Sequence, residues 1–137
     1  MTKLKNYKMF IDGEWLDSDT KKTFETLNPE NNKPWAMVPE ASAKDVDKAV
    51  QAAQKAFEGE WPKLLPRQRG KFLRAIGEKL RENAELLGKI ETIDTGKLFR
   101  ETNKQAHYIA EYYDYYAGLA DKVEGTVLPL IVYIYKI

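Results

Sequence analysis

The spacing of apolar positions changes twice along the 137 residues. Up to about Ser42 the apolar stretches are short and heavily punctuated. In MFIDGEWLDS, residues 9–18, the pair Asp12-Gly13 separates two of them, a strong local signal for a β-hairpin. Two further runs, Thr23–Asn28 and Trp35–Pro39, are divided by the turn formers Asn28-Pro29-Glu30-Asn31-Asn32. Pro34 and Pro39 flank the second run. Proline has no N–H to give a neighbouring strand, so that segment is expected at a sheet edge or as extended chain.

From Ser42 the period becomes helical. Ser42 can cap a helix whose first turn carries Asp45, and Val46, Ala49, Val50, Ala53 and Phe57 fall on one face, the expected buried stripe. Gly59 and Pro62 end this helix. Pro66 suits the first turn of a second helix, with Phe72, Leu73, Ile76 and Leu80 as its apolar face. Asn83 is a natural break before a third segment with Leu86, Leu87, Ile90 and Ile93. A fourth helix, roughly from Glu101 to Lys122, is expected to bury Ala106, Ile109, Ala110, Tyr113, Ala117 and Ala120. Beyond it, Leu130–Tyr135 is a continuous β-branched and aromatic run that reads as a strand with no evident partner, an aggregation hazard if left exposed.

The pattern therefore predicts an α+β fragment: a leading hairpin and short strands over residues 9–41, then about four helices over 43–122. Composition adds exclusions. Twenty-two Lys and Arg against 21 Asp and Glu leave no bulk charge that points to nucleic acid or anionic lipid. No cysteine is present, which excludes disulfides, thiolate metal ligands and a cysteine nucleophile within these residues. The basic start MTKLKNYKMFIDGEW has too short an apolar part for a signal peptide, and no run approaches the roughly 20 apolar residues of a membrane span. A cytoplasmic location is the default expectation.

Four segments could carry chemistry. Asp94-Thr95-Gly96-Lys97 combines a carboxylate, a hydroxyl, a glycine and an amine. A phosphate loop needs a longer glycine-rich approach, because several backbone N–H groups must surround the phosphates, and here a helical pattern precedes and Leu98 follows. The expected geometry is a helix end, with Gly96 left-handed and Lys97 facing the C-terminal dipole; a further role for Asp94 stays open. His107, the single histidine, has no orienting partner in the sequence and is expected to serve packing or surface rather than catalysis. HYIAEYYDYYAG places five tyrosines on one helix beside Glu111 and Asp114, which fits a core or an interface better than base stacking. The three tryptophans, Trp15, Trp35 and Trp61, read as packing anchors. Arg67, Arg69, Lys71 and Arg74 make the second helix locally basic, by default a solvated face and alternatively an anion or nucleic-acid patch.

The order of segments is itself informative. FIDGEW, NPEN, DVDKAVQAAQKAF, RQRGKFLRAIGEKLREN, ELLGKIETIDTGK and YYAGLADKVEGTVLP follow one another from about Met9 to Pro129, and in that order the chain resembles the start of an aldehyde dehydrogenase. The resemblance implies the leading part of an α/β, Rossmann-like cofactor domain. It implies oxidation of an aldehyde substrate to a carboxylate with NAD or NADP, usually by a homo-oligomer. It assigns no catalytic or cofactor-binding residue to these positions. The family's chemistry needs a cysteine thiolate, and its cofactor motifs lie downstream of the matching segment. In some relatives the aspartate matching Asp94, with carbonyls matching Thr26 and Leu27, holds a structural sodium or potassium ion, and oxygen ligands suit such a hard cation.

After Pro129 the resemblance lapses. Residues 1–129 are thus expected to form the N-terminal part of an aldehyde dehydrogenase domain and residues 130–137 a divergent apolar tail, from a premature stop, a deletion or a shifted frame. The expectation is a chain without activity of its own, exposing helix faces and prone to self-association. The alternative is a non-catalytic helical module that binds a full-length relative.

Overall fold

A computed structural model describes residues 4–125. The predicted strand at Leu130–Tyr135 and the end of the tail lie outside the described residues. Five strands come first. Lys5–Asn6 forms β1; Met9–Ile11 and Glu14–Leu16 form β2 and β3; Thr23–Asn28 and Lys33–Pro39 form β4 and β5. The predicted hairpin is β2–β3, with Phe10 opposite Trp15. Its two turn residues, Asp12 and Gly13, have φ of 50° and 83°, matching the twist of the flanking strands.

The remaining strands make a three-stranded sheet in the order β1-β5-β4. This corrects the edge-strand expectation for residues 35–39, since β5 is the middle strand. β1 pairs with it in parallel only at Ala36 and Met37, between the two prolines, so neither proline has to donate to β1. β1 itself carries no sequence signal, being a two-residue pairing made possible by a distant strand.

Helix α1 spans Ala43–Glu58, α2 Pro66–Glu82, α3 Ala84–Thr95 and α4 Phe99–Leu119. Their ends follow the local chemistry. Ser42 and Asp45 form a reciprocal capping box on α1. Pro66 opens α2, where Gln68 Oε1 accepts the Leu65 N–H at 2.8 Å. Asn83 separates α2 from α3, with its side-chain amide donating to the Lys79 carbonyl. Gly96 ends α3 at φ 76° and returns its N–H to the Thr92 carbonyl at 2.9 Å.

Packing departs from the periodicity. Helix α4 lies between α2 and α3, and the buried seam is made of small residues: Gly70 and Gly77 on α2, Ala84 and Gly88 on α3, and Thr102, Ala106, Ala110 and Ala117 on α4. A Cβ at Gly88 would stand 2.9 Å from the Asn103 backbone nitrogen, so the close approach of α3 and α4 depends on that glycine. Thr102 bridges the same seam, its Oγ1 lying 2.9 Å from the Gly88 carbonyl and 2.9 Å from Thr92 Oγ1. The large stripes read as core do not close over one another. Val46, Val50 and Phe57 on α1, Phe72 and Ile76 on α2, Leu86, Leu87 and Ile93 on α3 and Ile109 on α4 are exposed, while Leu73, Leu80, Ile90, Tyr113 and Ala120 are half-buried. Periodicity identifies an apolar face but not what meets it, and here the glycine–alanine faces meet each other.

Candidate functional site

The corner where α3 ends against β4 holds the residues singled out from the sequence. Asp94, in the last turn of α3, accepts a hydrogen bond on Oδ1 from Thr26 Oγ1 of β4 at 2.7 Å, across 68 positions of chain. Leu27 follows Thr26 at a register irregularity in the β4–β5 ladder. Leu27 itself pairs with Pro34, and the residue left out of the pairing there is Trp35 of β5. A Cβ added at Gly96 would stand 3.4 Å from the Cβ of Pro29 in the β4–β5 turn, so that turn lies beside the end of α3. The structure thus brings Thr26 and Asp94 together, with Leu27 next to Thr26 in β4. Lys97 follows the end of α3, where its Nζ pairs with Glu91 at 2.7 Å, and Thr95 Oγ1 donates to the Glu91 carbonyl at 2.6 Å. The C-terminus of α3 presents carbonyls and negative potential at this corner. Among the described residues no group of three or more Asp, Glu, His or Cys side chains converges, so carboxylate charge for a divalent ion is lacking.

Pyrophosphate binding uses a strand that turns through glycines into a helix N-terminus. The only strand here that leads directly into a helix is β5 among the described residues, and it does so through Glu40-Ala41-Ser42 without a glycine. The N-terminus of α1 is already filled by a carboxylate of its own. Asp45, 3 % exposed, accepts from the Ser42 N–H at 2.9 Å and from the Asp19 N–H at 3.1 Å, with Ser18 Oγ 3.0 Å away. Ser18 Oγ also lies 2.6 Å from the Glu40 carbonyl. These donors, the Ser42 backbone first, hold the Asp45 carboxyl well below the ordinary 3.8, at about 2. Sequence reasoning found Asp45 as a cap. It missed the grip on Ser18 and Asp19, which no local pattern announces.

The other candidates separate. His107 is exposed on α4. Arg69 is half-buried and donates from Nε and Nη2 to the Leu64 carbonyl at 3.2 and 3.0 Å, so that part of the basic stretch is structural. Trp35 packs edge-on against Tyr7 at 5.9 Å, an anchor as expected. Trp15 and Trp61 are exposed and lean on the equally exposed Phe10 and Phe72, so they anchor nothing within these residues. Of the five α4 tyrosines only Tyr113 is half-buried, and Tyr108, Tyr112, Tyr115 and Tyr116 face outward. No helix among the described residues is long and apolar enough to cross a membrane.

Fold and corner together define a segment made of a hairpin, a small sheet and a layer in which α4 lies between α2 and α3. The profile of the aldehyde dehydrogenase family matches residues 15–135, running on past Pro129. The chain is 41 % identical over 128 residues to the (Z)-2-((N-methylformamido)methylene)-5-hydroxybutyrolactone dehydrogenase of Acinetobacter baylyi, covering 93 % of this chain and 26 % of that protein. Its fold superimposes on the NAD-dependent aldehyde dehydrogenase of Sinorhizobium meliloti with a TM-score of 0.85 at 31 % identity, over 90 % of this chain and 25 % of the other. On a Staphylococcus aureus betaine aldehyde dehydrogenase variant, crystallised with NAD+, the values are 0.84 and 39 %, over 91 % and 25 %. The chain belongs to the aldehyde dehydrogenase family, and its fold is that of the N-terminal part of those enzymes. It spans about a quarter of the length of the relatives it matches.

Proposed function

We propose that this chain is the scaffold segment of an NAD(P)-dependent aldehyde oxidoreductase and has no such activity by itself. The observation that carries the reading is the contrast between a fold matched over nine-tenths of the chain and an absence of cysteine in the 137 residues. The family's covalent step needs a thiolate. The exposed stripes of α1, α2 and α3 support the same reading, because apolar faces of this size are surfaces made to be covered by more protein. The aldehyde substrate and the NAD or NADP belong to the complete enzyme, and what this segment contributes is shape and support. Purified chain, incubated with NAD+ or NADP+ and a panel of aldehydes, should yield no reduced nucleotide above a no-protein control. Aldehyde-dependent absorbance of NADH or NADPH would overturn the reading.

At the α3–β4 corner, the Asp94 carboxylate with the backbone oxygens of Thr26 and Leu27 supplies part of a structural sodium or potassium site. The Thr26–Asp94 hydrogen bond already draws two of the three residues together. Thermal unfolding should be higher in sodium or potassium chloride than in N-methylglucamine chloride at matched ionic strength, and Asp94→Asn should remove the difference while keeping the contact to Thr26. Equal midpoints in all three salts would remove the assignment.

The same open faces favour a second reading, a non-catalytic module that docks on a full-length relative. Co-expression with such a relative decides it: co-elution at a fixed stoichiometry supports docking, and separate elution removes it.

A further inference from the structure

The tyrosines of α4 share one helix but not one environment. Tyr108, Tyr112, Tyr115 and Tyr116 are exposed, whereas Tyr113 and the more distant Tyr7 are half-buried and the Tyr7 hydroxyl is closed off from solvent. Helical spacing alone offers several neighbour pairs, among them Tyr108 with Tyr112, Tyr112 with Tyr115 and Tyr112 with Tyr116. The structure selects the first. The Tyr108 and Tyr112 ring centroids are 5.0 Å apart at 89°, and their hydroxyl oxygens lie 2.9 Å apart in a hydrogen bond. Tyr116 pairs instead with its sequence neighbour Tyr115, at 5.3 Å and 84°. Among the described residues, neither of those two makes a hydroxyl contact with another tyrosine.

From this geometry we infer that Tyr108 and Tyr112 form a site of oxidative modification, at which a one-electron oxidant of the class that peroxide generates at a haem peroxidase joins the two rings as dityrosine. Each phenol gives up one electron and its O–H proton and becomes a phenoxyl radical. The unpaired electron is shared with the ring carbons beside the oxygen. One such carbon from each ring forms the new C–C bond. The hydrogen on each of those carbons leaves as a proton, and a proton returns to each oxygen, restoring two phenols. In total two electrons and two protons leave the pair, and they reduce one hydrogen peroxide to two waters. In the ortho-linked product the hydroxyls flank the new bond and hydrogen-bond to each other. The unmodified pair already makes that contact.

Three features favour coupling within the chain. The two rings are held as neighbours, so their effective concentration exceeds any that a second chain reaches in dilute solution. Exposed side chains turn on the picosecond-to-nanosecond scale, which lets the crossed planes rotate until the ring edges meet. None of the 137 residues is a cysteine, so no thiol of the chain competes for the oxidant or returns a hydrogen atom to the radical. The hydrogen bond with Tyr108 also raises the Tyr112 hydroxyl above its ordinary value of 10, so that oxygen keeps its proton at neutral pH. The inference does not depend on the dehydrogenase reading, because neither an aldehyde nor a nicotinamide takes part.

The test treats the full 137-residue chain with hydrogen peroxide and a haem peroxidase, at a dilution where it sediments as a monomer. Free tyrosine in a parallel sample verifies that the oxidant is active. The blue fluorescence of the linked biphenol is expected at the monomer position of a denaturing gel. After trypsin digestion, the peptide from Gln105 to Lys122 should be lighter by two hydrogens. Its fragment spectrum should lack cleavages between Tyr108 and Tyr112. Tyr108→Phe and Tyr112→Phe, which keep the rings and remove one hydroxyl, should each abolish the monomer fluorescence. Tyr116→Phe should leave it in place. Absence of the product, fluorescence confined to dimers, or a link mapped to Tyr113, Tyr115 or Tyr116 would overturn the proposal. So would a Tyr108→Phe chain that cross-links as well as the parent.

Discussion

Asp45 shows how one side chain can serve a local and a distant role together. As the third helical residue of α1 it closes the capping box with Ser42, and as a buried carboxylate it collects the Asp19 N–H and the Ser18 hydroxyl from the segment after the hairpin. All of these donors favour the ionised form, which is why its folded value falls to about 2 from an ordinary 3.8. A depressed carboxyl contributes stability that is fully present above its unfolded value and is lost as pH falls through the folded one. Thermal unfolding followed by circular dichroism should therefore show a midpoint that declines from about pH 4 down to pH 2. Asp45→Asn should lower the midpoint at neutral pH and flatten that decline. A variant with the same acid slope as the parent would place the acid sensitivity on other carboxylates.

The elements pack by close approach. At the α3–α4 crossing the absence of a side chain on Gly88 lets the Asn103 backbone come within 3.0 Å of where a Cβ would be. At the start of α2 the Ala117 carbonyl oxygen stands 2.8 Å from the corresponding point on Gly70. Neither neighbour is a flexible side chain that could swing away. Gly88→Ala should cost about 1–3 kcal/mol, the usual range for overpacking a tight contact, less whatever alanine gains in helix propensity. Chemical denaturation monitored by tryptophan fluorescence measures it. An unchanged midpoint would show that α3 and α4 can slide apart at little cost. The helix ends were legible in advance: Ser42, Pro66, Asn83 and Gly96 act within a turn of their own positions. The crossing was not, because a glycine inside a helical pattern reads as a weakness until the element that approaches it is known.

The chain as a whole exposes what a closed domain would bury. Phe72, Ile76 and Leu87 line one continuous apolar groove, with Ile76 42 % exposed. The segment accounts for a quarter of its relatives' length, and in the proposed reading this is where further protein sits. Without that cover, the chain should bind a dye specific for apolar surface before it unfolds, and should sediment as species heavier than its 15.8 kDa at raised concentration. Ile76→Lys, which places a charge in the middle of the groove without entering the seam, should reduce both signals and leave the helical circular dichroism intact. A parent chain that stays monomeric and unfolds sharply without dye binding would contradict the exposure argument.

Sequence by itself determined whatever is settled over a few consecutive residues. Asp12-Gly13 sets the hairpin because both positions accept positive φ, Ser42 and Asp45 start α1 because their side chains reach free N–H groups one turn away, and Gly96 stops α3 because it has no Cβ to hinder a left-handed turn. The ordered run of such signals was also enough to reveal the family. Only the tertiary structure decided which distant partners meet: β1 with β5, Asp45 with Ser18, and glycine–alanine faces with one another while the large stripes stay open. The physical reason is that hydrophobic periodicity marks which face of a helix avoids water but carries no label for the surface opposite. That choice rests on how closely two backbones can approach, and only the folded chain sets that distance.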